Sequence, residues 1–225
     1  MPSEQPKIAH ILNVVEAWPT ADLLTLAELK IQLRIPPEDT SKDAELDLII
    51  DGVSEQIANM ANRVFGFDHV QETFYNCVDE DRLYFSQWPV KLADINTLTL
   101  NGVDILPSVG ADWVLEEKKG FMFRPNSPWN GTIFADYSGG YKLPDEAPDD
   151  LARAAAAAMR EDYYIYTRGA VLSGVRMIAH KAARVQYYPP GQVGATMSGS
   201  LGPAGTNATW NAVWMIVYKY IRHWV

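Results

Sequence analysis

The spacing of apolar residues between Leu46 and Val64 constrains the fold more than any other feature of the sequence. Apolar side chains recur there at intervals of three and four, which is typical of a helix with one buried face. The residues are Leu46, Ile49, Ile50, Val53, Ile57, Met60, Ala61 and Val64. The pattern predicts an amphipathic helix of about six turns that ends before Gly66.

Two further helices have recognisable beginnings. Thr25 and Glu28 form a capping-box pattern, in which the threonine caps a backbone amide and the glutamate reaches back to the cap. Pro36 and Pro37 then end that helix. After Pro148, an acidic first turn favours the positive end of a helix dipole, and an alanine-rich run continues a predicted helix to about Arg168.

Between these helices the hydrophobic pattern changes to one typical of strands. Aromatic and β-branched residues dominate residues 70–77, 82–90 and 131–137. Asn101-Gly102 predicts a tight hairpin, because its turn type needs positive φ at both central residues. Residues 113–123 predict a second hairpin. This part of the chain is therefore expected to form a small antiparallel sheet.

The end of the chain combines a proline- and glycine-rich stretch with an aromatic one. Residues 171–188 are compatible with either a helix or mixed structure, and residues 189–209 are expected to form a flexible or extended loop. Residues 209–225 predict a helix with an aromatic and apolar face. That face consists of Trp210, Trp214, Val217, Tyr218, Ile221 and Val225.

Composition and charge exclude several classes of protein. The chain has 19 basic and 28 acidic residues and a formal net charge of −9, which disfavours sequence-specific DNA binding. Its single cysteine excludes an internal disulfide, and we expect Cys77 to be a buried strand residue. No apolar run is long enough to span a membrane, and the first residues lack a secretory pattern. We therefore expect a protein made in the cytoplasm, without a membrane partner.

The usual signatures of catalysis are missing. The four histidines are far apart, and no phosphate-binding loop or serine-nucleophile motif occurs. Acidic clusters at 79–81, 116–117 and 149–150 are most simply explained as two turns and a helix start. We predict no catalytic residue, no metal ligand and no cofactor. A nuclease or other DNA-packaging factor is the alternative, with the 79–81 cluster as its candidate Mg²⁺ site.

The order of these elements resembles the head–tail connector (adaptor) family of tailed bacteriophages. The stretches that carry the resemblance are Leu24-Thr-Leu-Ala-Glu-Leu-Lys-Ile-Gln-Leu-Arg-Ile35, Asp43-Ala-Glu-Leu-Asp-Leu-Ile-Ile-Asp51 with Asn62-Arg-Val64, and Ala135-Asp-Tyr-Ser-Gly-Gly-Tyr141 followed by Pro144, Pro148 and the helix to Tyr166. The resemblance covers about residues 24–168. The sheet between Val64 and Ser138 is longer than in a minimal connector, and the tail after Arg168 matches only in outline.

The resemblance implies an α+β protein that is mainly α-helical. It implies an N-terminal arm (1–24), a helical core (25–66 and 141–188), an inserted small antiparallel β-sheet (67–140), and a C-terminal aromatic helix on a flexible tether (189–225). Such a protein would form a homo-oligomeric ring, expected to have twelve copies, in the neck of the virion. It would bind the portal protein above and a stopper or tail protein below, close to the viral DNA. A tail-terminator or minor capsid protein is a further alternative.

The resemblance also directs the choice of interface residues. The long helix and the alanine-rich helix would form the ring wall, with some acidic residues facing the channel. Its subunit contacts are predicted at Ile50, Ile57, Ala154, Ala155 and Ala158. A tethered aromatic helix suits docking into a groove on another protein. We therefore expect a portal-docking interface, unless these side chains pack on the protein's own core. Its residues are Trp210, Trp214, Val217, Tyr218, Ile221 and Arg222.

Overall fold

The chain folds into two units, each built from two separate stretches of sequence. The computed structural model describes residues 9–172, 175–179, 184–187 and 208–221. The sheet unit comprises Met1–Ala21 and Arg63–Ala147, and the helical unit comprises Asp22–Asn62 and Pro148–Val225. Each unit is therefore closed by segments that lie far apart in the sequence.

Eight strands form the described part of the sheet unit. They are β1 (Ala9–Glu16), β2 (Asp68–Glu80), β3 (Arg82–Tyr84), β4 (Ile95–Leu100), β5 (Val103–Asp104), β6 (Val114–Glu116), β7 (Phe121–Phe123) and β8 (Trp129–Gly139). One antiparallel sheet has the order β1-β2-β8-β4-β5, and a smaller antiparallel sheet has the order β3-β7-β6. The two long strands, β2 and β8, pair side by side in the larger sheet.

The core of the sheet unit is aromatic. Buried positions alternate along β8, where Ile133, Ala135 and Tyr137 are fully buried and the intervening residues are partly exposed. Trp113 and Trp129 are also fully buried in this unit. Alternation of this kind is what a sheet with one covered face requires.

Two turns depend on residues with positive φ. Asn101 has φ 51° and Gly102 has φ 80°, so the hairpin predicted between β4 and β5 is confirmed. Gly140 has φ 111°, and a Cβ atom there would lie 2.0 Å from the carbonyl oxygen of Gly66. Only glycine satisfies both conditions, which explains the second glycine of the Gly-Gly-Tyr sequence after β8.

Four helices and a hairpin make up the helical unit within the residues that the structure describes. The elements are α1 (Leu26–Leu33), α2 (Asp43–Ala61), α3 (Asp149–Leu172), β9 (Val175–Ala179), β10 (Arg184–Tyr187) and α4 (Ala208–Val217), with a 3-10 turn at Tyr218–Tyr220. Helix α3 packs against α1, α2 and α4. The predicted capping box is confirmed: the Thr25 hydroxyl accepts a hydrogen bond from the Glu28 backbone amide, and the Glu28 carboxylate accepts one from the Thr25 backbone amide. Buried Lys30 joins α1 to α2 through its ammonium group, 2.5 Å from Asp43 Oδ1.

The prediction of a mainly helical protein with a helical core and a small inserted sheet is wrong. Of the residues that the structure describes, about 37% are helical and about 31% lie in strands. The sheets have an aromatic core of their own, whose extent was underestimated because it depends on pairing between strands that lie far apart in the sequence. Residues 9–16, within the expected N-terminal arm, form β1 and complete the larger sheet. The expected loop at 189–209 lies outside the described residues except for its last two.

Candidate functional site

The two sides of α4 have different environments. Val213 and Val217, one helical turn apart, are 1% and 0% exposed, and the helix contacts α3 and α2. Trp214, Met215 and Tyr218 are 44%, 74% and 53% exposed. We call Val213 and Val217 the inner face and Trp214, Met215 and Tyr218 the outer face. Exposed apolar side chains grouped on one side of a helix whose other side is buried are the kind of feature that marks an interaction site.

A carboxylate at the start of α3 holds the end of the tail. Asp150 accepts hydrogen bonds from the Tyr220 hydroxyl and from Lys219 Nζ, the latter at 3.2 Å. Burial by itself would raise the pKa of Asp150, but these two donors outweigh burial and leave the pKa below its usual value. Asp150 is therefore ionised at neutral pH, and it fixes the residues that follow α4 to the first turn of α3.

The predicted docking residues are distributed over both sides of the tail helix. Trp214 and Tyr218 lie on the outer face, with their ring centroids 6.5 Å apart. Val217 is fully buried, whereas Trp210 and Ile221 are partly buried. Arg222 lies outside the described residues. Met215 was not among the predicted residues, although its position three residues before Tyr218 places it on the same side of the helix.

The predicted wall residues are all buried within the helical unit. Exposure is 3% for Ile50, 0% for Ile57, 4% for Ala154 and 0% for Ala155 and Ala158. Their packing partners are therefore supplied by the single chain. Their role in contacts between subunits stays a prediction.

The exposed side of α2 carries a line of carboxylates. Asp47, Asp51 and Glu55 are exposed and spaced by four residues, so they follow one another along one side of the helix. Burial and the neighbouring carboxyl groups of Asp22 and Asp47 raise the pKa of Asp51. Like charges at this spacing repel each other, and no basic residue of α2 falls on this line. The sequence analysis expected some acidic residues of the helical wall to face the channel but did not name them.

Strand β1 is a second exposed apolar surface. Among the described strands it pairs only with β2, and it forms one edge of the larger sheet. Ile11, Leu12, Val14 and Val15 are 38% to 60% exposed. Edge strands are usually shortened or protected by charges. This surface was not predicted from the sequence, because these residues were expected to belong to an arm.

The sheet unit also contains two carboxylates, those of Glu72 and Asp136, whose hydrogen bonds link neighbouring segments of the unit. Glu72 is fully buried and accepts hydrogen bonds from the Tyr137 hydroxyl at 2.8 Å and the Ser86 hydroxyl at 2.5 Å. Asp136 accepts hydrogen bonds from Gln71 and Asn96 and lies 2.8 Å from His69 Nε2. Both carboxylates are engaged with protein groups, which favours a structural role for them.

The residues considered for catalysis do not converge. Within the part of the chain that the structure describes, no group of three or more His, Cys, Asp or Glu side chains could hold a metal ion. Asp79 instead interacts with Asn130, and Asp81 lies 3.9 Å from Arg82. Burial raises the pKa of Cys77 to about 11, so its thiol is protonated at neutral pH.

Among the described helices, none is long and apolar enough to cross a membrane.

Comparison with solved structures shows where this fold occurs. A chain in the neck of an empty GTA particle, computed with C6 symmetry, matches with a TM-score of 0.51 and 16% sequence identity. The match covers 96% of this chain and 97% of that chain. The chain shares its fold with a gene transfer agent neck chain. A chain in the virion of a native gene transfer agent (GTA) particle matches over the same fractions, with a TM-score of 0.49 and 17% identity.

Sequence comparisons give no comparable match. No protein-family model matches the chain, and no curated protein matches it. The likeness to the chain of the empty-particle neck is therefore one of fold alone, over nearly the full length of both chains.

Proposed function

We propose that this chain is a structural protein of the neck of a phage-like virion, where it forms a ring beneath the portal. The ring would extend the DNA channel and link the capsid to a stopper or tail protein. The observation that carries the proposal is the fold match over 96% of this chain to a chain of a particle neck. The connector-like element order of residues 24–168 supports the same role. Assembly would begin in the host cytoplasm and end in the virion.

A ring in which one surface of each copy contacts a different surface of the next closes by rotation. The neck that supplied the matching chain was computed with C6 symmetry, which is compatible with six or twelve copies. We propose that α2 and α3 form the ring wall. Since Ile50, Ile57 and the alanines of α3 are buried in the single chain, the contacts between copies would use exposed positions of the same helices. Leu48, which is 72% exposed on α2, is one such position.

The line of Asp47, Asp51 and Glu55 is proposed to face the channel. A negative wall would repel the phosphates of passing DNA and keep the duplex mobile. The formal net charge of −9 supports this assignment, because a negative protein does not gain binding free energy by neutralising DNA phosphates.

The outer face of α4 is proposed to dock on the portal protein. Helices of this kind bind grooves through side chains one turn apart, and Trp and Tyr are among the commonest anchors at interfaces. Trp214 and Tyr218 have that spacing and are exposed. The inner face remains available to hold α4 on the helical unit while the outer face binds.

The first experiment is the particle mass of the purified protein, alone and mixed with the portal of the same phage. We expect the portal particle to gain about twelve subunits, since the ring would match the portal's symmetry. A portal that gains no mass, while the protein is folded by circular dichroism, would contradict the adaptor role. Cleavage of plasmid DNA in Mg²⁺ by the same preparation would instead favour a packaging nuclease.

A further inference from the structure

The open edge of β1 carries apolar side chains on both faces of the larger sheet. Leu12 and Val14 pair with buried residues of β2 and therefore share the core side, whereas Ile11 pairs with a half-buried residue and shares the opposite side. Together with Val15, they are 38% to 60% exposed. A strand that is apolar on both faces is usually covered on both, and an edge strand offers unpaired backbone groups to another strand. This edge therefore has the properties of one that a further strand covers.

The sequence of β1 is complementary to itself when two copies run antiparallel. The register that places Asn13 opposite its own equivalent gives three further kinds of pair: His10 with Glu16, Ile11 with Val15, and Leu12 with Val14. Each apolar side chain then meets an apolar one, and the imidazole meets a carboxylate to which it can donate a hydrogen bond. Directly opposite pairs of both kinds stabilise antiparallel strands. The Asn13 amide both donates and accepts hydrogen bonds, so it can bind its equivalent.

The neighbouring registers lack this complementarity. Centring the pairing on Leu12 places His10 opposite Val14 and puts Ile11 opposite an asparagine. Centring it on Val14 instead places Glu16 opposite Leu12. Both shifts set a charged or polar side chain against an apolar one, so the residues of β1 select the register centred on Asn13.

The surroundings of His10 fit the same register. Its ring stacks on Phe74 with 6.1 Å between the centroids, and its Nε2 lies 4.0 Å from Oε1 of buried Glu72. The His10 side chain nevertheless stays 42% exposed. Glu16 of the second copy would approach that exposed side and give the imidazole a second carboxylate.

The irregular end of β1 also fits. The register with β2 shifts between Val14 and Glu16, and no residue of β2 pairs with Val15. A bulge of this kind leaves its extra residue unpaired. Ile11 of the second copy would give Val15 the cross-strand partner that β2 does not provide.

We propose that two copies of the free protein associate through antiparallel pairing of their β1 edges, with Asn13 on the twofold axis. This inference does not depend on the ring of the proposed function. The two copies of such a dimer point in opposite directions, whereas all copies of a cyclic ring point the same way, so the pairing belongs to the protein before assembly. A contact of seven residues a side is much smaller than the about 20–30 residues a side of a standard interface. The dimer would therefore dissociate readily when ring contacts form.

A cysteine on the twofold axis tests the register. Opposite residues of antiparallel strands have Cα atoms about 4.5–5.5 Å apart, which lies within the range that a disulfide spans. In the full chain without portal, Asn13→Cys should therefore give disulfide-linked dimers under mild oxidation, seen by non-reducing electrophoresis. Ile11→Cys is the control, because its equivalents would be about 14 Å apart along the strands. The native Cys77 is buried.

A pair of charged variants tests the edge without a covalent bond. Leu12→Lys and Val14→Glu each place a charge opposite an apolar residue of the second copy, so sedimentation should show each variant as a monomer. Mixed in equal amounts, the two should form dimers again, because Lys and Glu are then opposite each other. Circular dichroism of each variant checks that it is folded.

We expect the native protein to change from monomer to dimer as its concentration rises, and Asn13→Cys to give at least fivefold more linked dimer than Ile11→Cys. A native protein that stays monomeric at every concentration, or equal linking by the two cysteine variants, would overturn the pairing. The portal mass experiment reports the ring separately. A chain that is monomeric alone but joins the portal overturns only this inference, and a dimer that adds no mass to the portal contradicts only the adaptor role.

Discussion

Tyr137 donates a hydrogen bond to Glu72 across the larger sheet, with 2.8 Å between the two oxygens and both side chains fully buried. A buried carboxylate is stable only while its donors are present. Tyr137→Phe should therefore lower the free energy of unfolding by about 1.5–3 kcal/mol, measured by urea denaturation. The control is Tyr75→Phe at an exposed position of β2, with an expected change below about 0.5 kcal/mol. Equal effects would show that the hydrogen bond contributes little.

Gly140 and Gly52 should respond in opposite directions to replacement by alanine. Gly140→Ala places a Cβ atom against the carbonyl of Gly66 at a φ that alanine rarely adopts, and should cost at least about 3 kcal/mol of stability. Gly52 lies on α2, where an added Cβ atom would meet nothing within 4 Å, and Gly52→Ala should stabilise by about 0.5–1 kcal/mol. Thermal denaturation of both variants tests the pair. A tolerated Gly140→Ala would mean that the turn after β8 adopts another conformation.

The attachment of the tail should weaken in acid. Because the pKa of Asp150 is below its unfolded value, its contribution is complete above about pH 4 and is lost as the pH falls through the folded pKa. Asp150 is partly exposed, so we expect at most about 1 kcal/mol. The measurement is unfolding free energy from pH 7 to pH 3 for the native protein and Asp150→Asn. The difference between them should shrink toward acid, and a constant difference would exclude this carboxylate as its source.

Substitutions on the two faces of α4 should have different effects, one on portal binding and the other on the stability of the fold. Trp214→Ala with Tyr218→Ala removes the outer face and should weaken portal binding at least about tenfold with little loss of stability. Val213→Ala with Val217→Ala removes the inner face and should cost about 1–3 kcal/mol per residue. Portal affinity and thermal stability would be measured for both pairs. Unchanged affinity in the outer-face variant would exclude docking through this face.

Charge reversal on α2 should change how the ring interacts with DNA. Replacing Asp47, Asp51 and Glu55 with lysine should create DNA retention that falls steeply with added salt. The control makes the same change in net charge on the sheet unit, at Glu80, Asp81 and Glu116. A filter-binding assay on assembled rings compares the two variants. Equal retention would mean that net charge, and not the position of these carboxylates, controls contact with DNA.

Local features of the fold were predictable because their causes lie within a few residues. The capping box needs only Thr25 and Glu28, and the hairpin at Asn101-Gly102 follows from two residues that accept positive φ. Strand β1 was missed because its partner begins at Asp68, and an apolar run alone does not indicate what it will pair with. The balance between sheet and helix was misjudged for the same reason: long-range pairing decides it.

The candidate site was predictable in composition but not in orientation. Helical spacing placed Trp214, Val217 and Tyr218 on one broad stripe, and the structure divides that stripe between a buried and an exposed side. The periodicity of a helix fixes the angles between its side chains around the helix axis. Which of those side chains become buried depends on the element that packs against the helix. The contact between Asp150 and Tyr220 joins residues seventy positions apart, so no local pattern could have indicated it.

The interleaving of the two units sets the order in which a growing chain can complete them. Helices α1 and α2 are synthesised soon after β1, yet their partner α3 begins only at Asp149. The whole sheet unit can close in the meantime, since its last residue is Ala147. During translation, about ninety residues are therefore added between the end of α2 and the start of α3, which takes roughly five to twenty seconds at ribosomal speed. Until then, α3 cannot cover the apolar side of α2, whereas by the end of that interval every stretch of the sheet unit is already available.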